Sequence, residues 1–149
     1  MRALLTAVQF LTRIPVPGGH APASTQTLRA AVRWFPLVGG AIGGITAGLA
    51  WAGAHLWPLG LALLVALAVE AWLSGAFHED AVADFFDAFG GGYTRERTLE
   101  ILKDSRVGSF GVVALFFTLA IRFGGLITLP TPTLFAALIA SAALGRWLI

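Results

Sequence analysis

The 149-residue chain contains no cysteine and few charged residues. Without cysteine it forms no disulfide, no thiolate metal site and no cysteine nucleophile. Charged residues make up 12% of the sequence, about half the share of a soluble domain, whereas hydrophobic residues make up 57%. A soluble fold of this length could not bury so much apolar surface. The net charge is only +2, and the basic residues form no continuous stripe that would indicate binding to nucleic acid. The composition therefore predicts an all-α, polytopic integral membrane helical bundle.

Long apolar runs predict where the chain crosses the bilayer. Residues 34–69 carry no charge, exceed one span in length and are divided by a break at 55–58. Two further apolar runs follow the polar middle of the chain, and the sequence stops inside the second of them. We therefore expect a single membrane domain over 1–149 that is incomplete at its C-terminus. Its predicted parts are an interfacial N-terminal segment (1–33), spans near 36–54, 59–77, 107–129 and 133–149, and a polar motif segment (78–106).

Glycine recurs at every fourth position in the first span, at Gly40, Gly44 and Gly48, and Ala52 continues the series. Glycine lowers helix propensity, so a repeated glycine face needs a structural reason. Close approach of a second helix in lipid supplies one. We expect this face to pack against another helix.

Basic residues indicate the orientation in the membrane. They lie in the N-terminal segment and in the polar segment, and the turn at 55–58 has no Lys or Arg. Two spans return the chain to its starting side, so both basic regions share one face. By the positive-inside rule that face is cytoplasmic. We expect a multi-pass protein of the cell inner membrane with its polar segment on the cytoplasmic side.

Three aspartates in the stretch FHEDAVADFFDAFGGG are spaced i, i+4 and i+7: Asp80, Asp84 and Asp87. On a helix they lie within about 60° of one another, so their charges repel. A divalent cation would relieve this repulsion, and an all-oxygen ligand set favours Mg²⁺ or Mn²⁺ over Zn²⁺. The alternative is a solvated acidic helix face. The apolar residues between the aspartates favour the metal site.

Three further polar residues are candidates for the same site. His78 is a candidate general base, metal ligand or phosphate contact, or else a helix cap. Glu79 suits the N-terminal end of a helix, where an acid favours the dipole, or serves as a further ligand. Glu70 lies within the second predicted span, where acids are costly and usually functional, unless it is close enough to the interface to be wetted.

The stretch KDSRVGSFG begins the third predicted span and combines cations, hydroxyl groups and a helix N-terminus. Lys103, Asp104, Ser105 and Arg106 therefore form a candidate site for a phosphate-bearing substrate, although the charges alone would also serve as a membrane anchor. A carboxylate-bound metal beside a phosphate site suits transfer of a phosphate-containing group from an activated nucleotide. The nearby Thr94 is a predicted helix N-cap.

The stretches FHEDAVADFFDAFGGG and RERTLEILKDSRVGSFGVVAL, with FLTRIP and WFPLVGGAIGGI nearer the start, resemble the cobalamin synthase family, the adenosylcobinamide-GDP ribazoletransferases. The acidic motif is similar to the family pattern His-x-Asp-Gly-x-x-Asp-x-x-Asp-Gly. Ala81 and Ala88 stand where glycine is usual. Family members are normally longer than this chain.

The resemblance implies a Mg²⁺-dependent membrane enzyme that joins adenosylcobinamide-GDP to α-ribazole, or to its 5′-phosphate, and releases GMP. It implies that the three aspartates hold the metal, that His78 helps to deprotonate the attacking ribose hydroxyl, and that Lys103, Ser105 and Arg106 hold phosphate. Partners would be the two substrates, the lipid bilayer and no nucleic acid. A homo-oligomer or association with other cobalamin-assembly enzymes is also an expectation.

Three other readings remain. CDP-alcohol phosphotransferases and prenyltransferase-like membrane enzymes also combine clustered aspartates with a divalent metal. The first have an Ala-Arg pair after their first Asp-Gly, and the second need a distant second acidic motif; the chain has neither. A transporter subunit would carry acids at mid-membrane depth on several spans, whereas only Glu70 meets that condition here.

Overall fold

The computed structural model describes residues 2–17 and 24–149, and within them it contains eight α-helices and no strand. The predicted all-α class is confirmed for these residues. Part of the predicted interfacial segment, 18–23, lies outside the described residues. The helices are α1 (Arg2–Leu11), α2 (Thr25–Val32), α3 (Phe35–Gly53), α4 (Leu59–Ser74), α5 (Phe77–Gly91), α6 (Arg95–Ile101), α7 (Ser109–Ile127) and α8 (Thr131–Trp147).

Two of the described helices are individually long and apolar enough to cross a membrane, α3 and α7. Each has 19 residues. The α4 and α8 helices have 16 and 17 residues, so their lengths of about 24 Å and about 26 Å fall short of a bilayer core of about 30 Å. All four helices lie in the apolar runs where spans were predicted, and the membrane class of the chain is confirmed.

The chain divides into two compact units. The first comprises Met1–Gly75 and Leu126–Ile149, and the second comprises Ala76–Gly125. The three aspartates of the acidic motif and the KDSRVGSFG stretch therefore belong to the second unit, and Glu70 belongs to the first. The expectation of one membrane domain over 1–149 remains a prediction.

In the first unit, the N-terminal helix packs its apolar face onto α3. Ala7 and Leu11 are buried in one core with Phe35, Val38 and Ile42. The backbone N–H of Arg13 donates to the carbonyl oxygen of Leu73 at 2.8 Å, which joins the end of this segment to α4. The amphipathic pattern of the N-terminus therefore serves packing within the protein.

The α3 helix packs closely against α8, but through other glycines than the sequence suggested. A Cβ atom on Gly39 would overlap the backbone of Ala142, and one on Gly43 would lie 2.5 Å from the Leu138 carbonyl oxygen. Cβ atoms on Gly44 and Gly48 would meet nothing within 4 Å. The expected close approach exists, but its assignment to Gly40, Gly44 and Gly48 was wrong by one position along the helix.

Replacing Gly43 by alanine should therefore lower stability, by about 1–3 kcal/mol, because its methyl group would collide with backbone atoms of α8 that cannot move independently. The matched control is Gly44→Ala, which adds the same methyl group to open space and should be neutral or stabilising by up to about 1 kcal/mol. Thermal unfolding of both variants in detergent measures the difference. Equal stabilities would contradict the observed packing.

Glu70 is part of a buried polar cluster in the first unit. It is 4% exposed and faces Arg146 on α8, which is 6% exposed. A guanidinium nitrogen of Arg146 lies 3.7 Å from Glu70 Oε1. The hydroxyl of Thr46 on α3 lies 3.3 Å from Glu70 Oε2 and 3.0 Å from the carbonyl oxygen of Ile42. The ion pair thus links three helices of this unit.

The second unit begins at an unusual backbone position. Gly75 and Ala76 both have positive φ, at 70° and 57°, so α4 ends and α5 starts anew. Gly92 closes α5, and the predicted N-cap Thr94 is confirmed, because its hydroxyl accepts a hydrogen bond from Arg97 N at 3.2 Å. The second unit thus contains α5, α6 and most of α7, and it carries the polar motifs.

Candidate functional site

The acidic motif lies on α5, as the sequence predicted, and its three aspartates share one side of the helix. Their exposure differs. Asp80 is exposed, Asp84 is half-buried, and Asp87 is buried, with 9% of its surface accessible. The three side chains therefore meet different surroundings although they follow one sequence pattern.

Asp84 lies between the other two aspartates of the motif, and the charges of both act on it. Its pKa is raised by partial burial and by the negative charges of Asp80 and Asp87. Within the part of the chain that the structure describes, neither the Asp80 nor the Asp84 carboxylate accepts a hydrogen bond or forms an ion pair. These two carboxylates are thus available to a ligand, and a bound cation would relieve the repulsion between them.

Asp87 is engaged by the backbone at the start of α7. Its Oδ2 accepts a hydrogen bond from Gly108 N at 2.7 Å, and its Oδ1 accepts one from Gly111 N at 2.8 Å. Both oxygens therefore contact backbone donors that lie 21 and 24 residues further along the chain. This contact joins the acidic helix to the stretch VGSFG.

The carboxylate oxygens of α5 are of the donor type that Mg²⁺ prefers. Across residues 2–17 and 24–149, no group of three or more His, Asp or Glu side chains is arranged to hold a metal. Mg²⁺ is commonly bound by one or two carboxylates together with waters and substrate phosphates, and less often by a cage of protein ligands alone. Asp80 and Asp84, one turn apart on α5, supply such a pair. The three-ligand assignment stays a prediction.

Asp104 and Arg106 hold one another in the turn before α7. Arg106 Nη2 lies 2.6 Å from Asp104 Oδ2, Nε contacts both carboxylate oxygens, and the Arg106 backbone N–H donates to Oδ1. The side-chain and backbone hydrogen bonds from Arg106 lower the pKa of Asp104 to about 2. Asp104 thus fixes the direction of the one cation of this stretch that faces the cavity described next.

A cavity of about 410 Å³ lies within the second unit, between the end of α5, α6 and the start of α7. Lys103 and Ser105 are exposed and do not line it, whereas Asp104 and Arg106 do. The cavity combines a guanidinium group, a hydroxyl group and the first turn of a helix. Its lining residues are Asp87, Gly91, Ile101, Asp104, Arg106, Val107, Gly108, Ser109 and Phe110.

Two other predicted site residues on α5 lie apart from the metal-binding pair. His78 is half-buried and its ring packs edge-on against Phe77, at 5.6 Å between centroids. Side chains two positions apart on a helix differ in direction by about 200°, so His78 is on the opposite side of α5 from Asp80. Glu79 is half-buried, and its Oε2 is buried without a hydrogen-bond partner among the described residues.

Sequence reasoning missed the roles of Gly108 and Gly111. The available signal was the spacing of two glycines at the start of an apolar run, which by itself gives no partner. Glu70, named as a further candidate, lies in the first unit and contacts Thr46 and Arg146 there. Its observed contacts are those of a structural ion pair.

An all-helical membrane chain with paired carboxylates and a nearby polar cavity is consistent with a membrane-bound transferase of phosphate-containing groups. Comparison with known proteins identifies the family. The family model described as "Cobalamin-5-phosphate synthase" (CobS) matches residues 3–149. The chain belongs to this family.

Individual relatives agree with this result, and each of the following three is named adenosylcobinamide-GDP ribazoletransferase. The Leptothrix cholodnii protein is 43% identical over 123 residues, which cover 81% of this chain and 46% of the relative. The Ralstonia pickettii protein is 43% identical over 123 residues, 82% of this chain and 48% of the relative. The Shewanella baltica protein is 41% identical over 140 residues, 94% of this chain and 52% of the relative.

The chain spans about half the length of these curated relatives. No solved structure matches it. The predicted family is thus confirmed by sequence comparison, and the site geometry comes from this chain alone.

Proposed function

We propose that this chain carries a transferase centre that joins adenosylcobinamide-GDP to α-ribazole, or to α-ribazole 5′-phosphate, and releases GMP. The observation that carries the proposal is the family match over 3–149, which includes both the acidic motif and the KDSRVGSFG stretch. The names of the relatives support the substrate, since each names adenosylcobinamide-GDP. Those relatives are about twice as long as this chain.

Asp80 and Asp84 would hold Mg²⁺, with Mn²⁺ as a substitute. When bound, the cation neutralises charge on diphosphate oxygens and eases departure of the nucleotide. The α5 helix keeps the two carboxylates one turn apart on the same side, from which both would face one ion. Burial and, second to it, the charges of Asp80 and Asp87 raise the pKa of Asp84, and a bound cation would offset the repulsion between these acids.

Arg106 and Ser109 would hold the phosphate groups at the cavity. Arg106 would exchange part of its contact with Asp104 for phosphate oxygens, and the Ser109 hydroxyl would donate a further hydrogen bond. A ribose hydroxyl oxygen of α-ribazole would then attack the phosphorus nearer the cobinamide, the bond from that phosphorus to the bridging oxygen would break, GMP would leave with that oxygen, and the hydroxyl proton would pass to solvent. The predicted role of His78 as base is the least supported, since it points away from Asp80.

We place this centre on the cytoplasmic face of the cell inner membrane. The proposal rests on the charge distribution, because two crossings in the predicted spans 36–54 and 59–77 would place the basic residues of both polar regions on one side. The interaction with lipid would involve the apolar helices α3 and α7. Association with a second copy or with other cobalamin-assembly enzymes remains a prediction.

The test is to incubate the purified chain in lipid nanodiscs with adenosylcobinamide-GDP, α-ribazole and Mg²⁺ and to quantify GMP and adenosylcobalamin by mass spectrometry. We expect both products in equal amounts, and none with EDTA. The Shewanella baltica relative, prepared in the same way, is the positive control. If that relative forms product and this chain forms none, the proposed activity of the chain is wrong.

A further inference from the structure

Asp87 differs from the other two aspartates of the motif in its contacts. It is the buried one, and each of its oxygens accepts a backbone hydrogen bond, at 2.7 Å from Gly108 N and 2.8 Å from Gly111 N. Within residues 2–17 and 24–149, no donor of this kind contacts Asp80 or Asp84. The motif therefore contains two carboxylates available to a ligand and one that is already satisfied by the protein.

The fit between Asp87 and the two glycines is close. A Cβ atom on Gly108 would lie 2.5 Å from Asp87 Oδ1, and one on Gly111 would overlap Oδ2. Any other residue at these positions would displace the carboxylate from the amide groups. The glycines at the start of α7 are thus matched to Asp87 in shape as well as in hydrogen bonding.

The backbone N–H groups in the first turn of α7 need a hydrogen-bond acceptor, and the side chains of the two residues just before the helix do not supply one. Val107 and Gly108, which precede the helix, have no side-chain oxygen, so they cannot cap the free N–H groups of the first turn. Asp87 supplies this cap from another helix, and its negative charge is favoured at a helix N-terminus. The cap also fixes the turn that carries Asp104, Arg106 and the cavity.

We propose that Asp87 is a positioning residue that fixes the Arg106–Ser109 stretch beside α5, and that the divalent ion is held by Asp80 and Asp84 without it. The reaction role of this contact rests on the proposed function. The cap itself and the division between ligand and non-ligand aspartates do not require turnover. They can therefore be tested even if the transfer reaction is absent.

Binding of Mn²⁺ alone distinguishes a ligand from a positioning residue. Electron paramagnetic resonance of free Mn²⁺, titrated against the full chain in detergent, gives the dissociation constant without substrate. Asp84→Asn should weaken binding at least about tenfold, whereas Asp87→Asn should change it less than about threefold, since it removes a neighbouring charge but no ligand of the ion. Equal weakening by both substitutions would make Asp87 a ligand and overturn the proposal, as would a wild-type chain that binds no Mn²⁺.

Hydrogen exchange of the backbone tests the cap directly. In Asp87→Asn, peptides that cover 107–112 should exchange at least about tenfold faster, because a charged acceptor of two amides is lost. Asp84→Asn should leave their exchange unchanged. Gly111→Ala is the second variant, which keeps every carboxylate but displaces Asp87 from its donors, and it should reproduce the faster exchange with normal Mn²⁺ binding. Unchanged exchange in both Asp87→Asn and Gly111→Ala would contradict the proposal.

Where the enzyme is active, Asp87→Asn and Gly111→Ala should both raise KM for adenosylcobinamide-GDP about tenfold and leave the Mg²⁺ concentration for half-maximal rate unchanged. If Asp87 only stabilised the fold, its substitution would not change KM while leaving the Mg²⁺ concentration for half-maximal rate unchanged. A raised Mg²⁺ requirement in both variants would count against positioning. Inactivity of the wild-type chain would refute the proposed function alone, since exchange and Mn²⁺ binding would still decide the role of Asp87.

Discussion

Asparagine in place of Asp84 is expected to lower kcat of the proposed transfer reaction by at least about a hundredfold. This corresponds to about 3 kcal/mol of transition-state stabilisation, the order expected when a catalytic metal loses a ligand. Asp84 lies between Asp80 and Asp87 on α5 and has its pKa raised by burial and by both neighbours. The amide keeps the size of the side chain and removes the charge. Initial rates of GMP release at saturating substrate measure the effect.

In the absence of metal, the same substitution should not lower the stability of the folded protein, although it lowers activity. A carboxyl whose folded-state pKa is raised contributes stability when protonated and loses it as the pH rises through the folded pKa. Near pH 7 the ionised Asp84 therefore opposes folding, and Asp84→Asn should unfold at the same or a higher temperature than wild type. Low activity with undiminished stability would identify a functional loss.

Glu96→Gln on α6 is the matched control, because Glu96 is an exposed acid of the same unit that makes no contact with the cavity. Its activity should equal that of wild type. If Asp84→Asn keeps more than a tenth of wild-type activity, Asp84 does not hold the metal. If Glu96→Gln is equally impaired, the loss reflects the total charge of the unit.

Glutamine in place of Glu70 is expected to destabilise the protein by about 3–5 kcal/mol, the cost of breaking a buried ion pair from one side. Glu70 is 4% exposed and Arg146 is 6% exposed. Removing the negative charge of Glu70 would therefore leave the positive charge of Arg146 buried without this opposite charge. Thr46 would also lose its carboxylate partner. The measurement is thermal or denaturant unfolding of the detergent-solubilised chain.

The double variant Glu70→Gln with Arg146→Met serves as the control. Replacing both partners of a buried pair is often near neutral, so this variant should recover much of the stability lost by Glu70→Gln. Recovery would identify a pairwise structural role. Normal stability of Glu70→Gln with lost activity would instead support the functional reading that its intramembrane position first suggested.

Apolar runs in the sequence were sufficient to predict the four apolar helices α3, α4, α7 and α8, but not which side of each helix is packed. Gly39 and Gly43 have the same four-residue spacing as Gly40 and Gly44, and in lipid both sides of α3 are apolar. Periodicity therefore cannot distinguish the side that faces protein from the side that faces lipid. The choice depends on α8, which lies far along the chain.

The acidic helix α5 and the cap of α6 at Thr94 were likewise predictable, since the spacing of the aspartates and the capping residue are local features. The partners of Asp87 are not local, and hydrogen-bonding partners at long sequence separation have no periodic signal. The same limit applies to Glu70, whose cost in a membrane indicated a special role but did not reveal Arg146. Sequence reasoning thus found residues with unusual chemistry more readily than the contacts that determine their use.

The contact of Asp87 with Gly108 and Gly111 should couple the evolution of two separate sequence motifs. A change at either glycine would be tolerated chiefly in a background that had already lost the aspartate, and the reverse change would require both glycines to be restored. Such sign epistasis would make this link one of the slowest features of the chain to drift. A family alignment should show these three positions varying together, independently of Asp80 and Asp84.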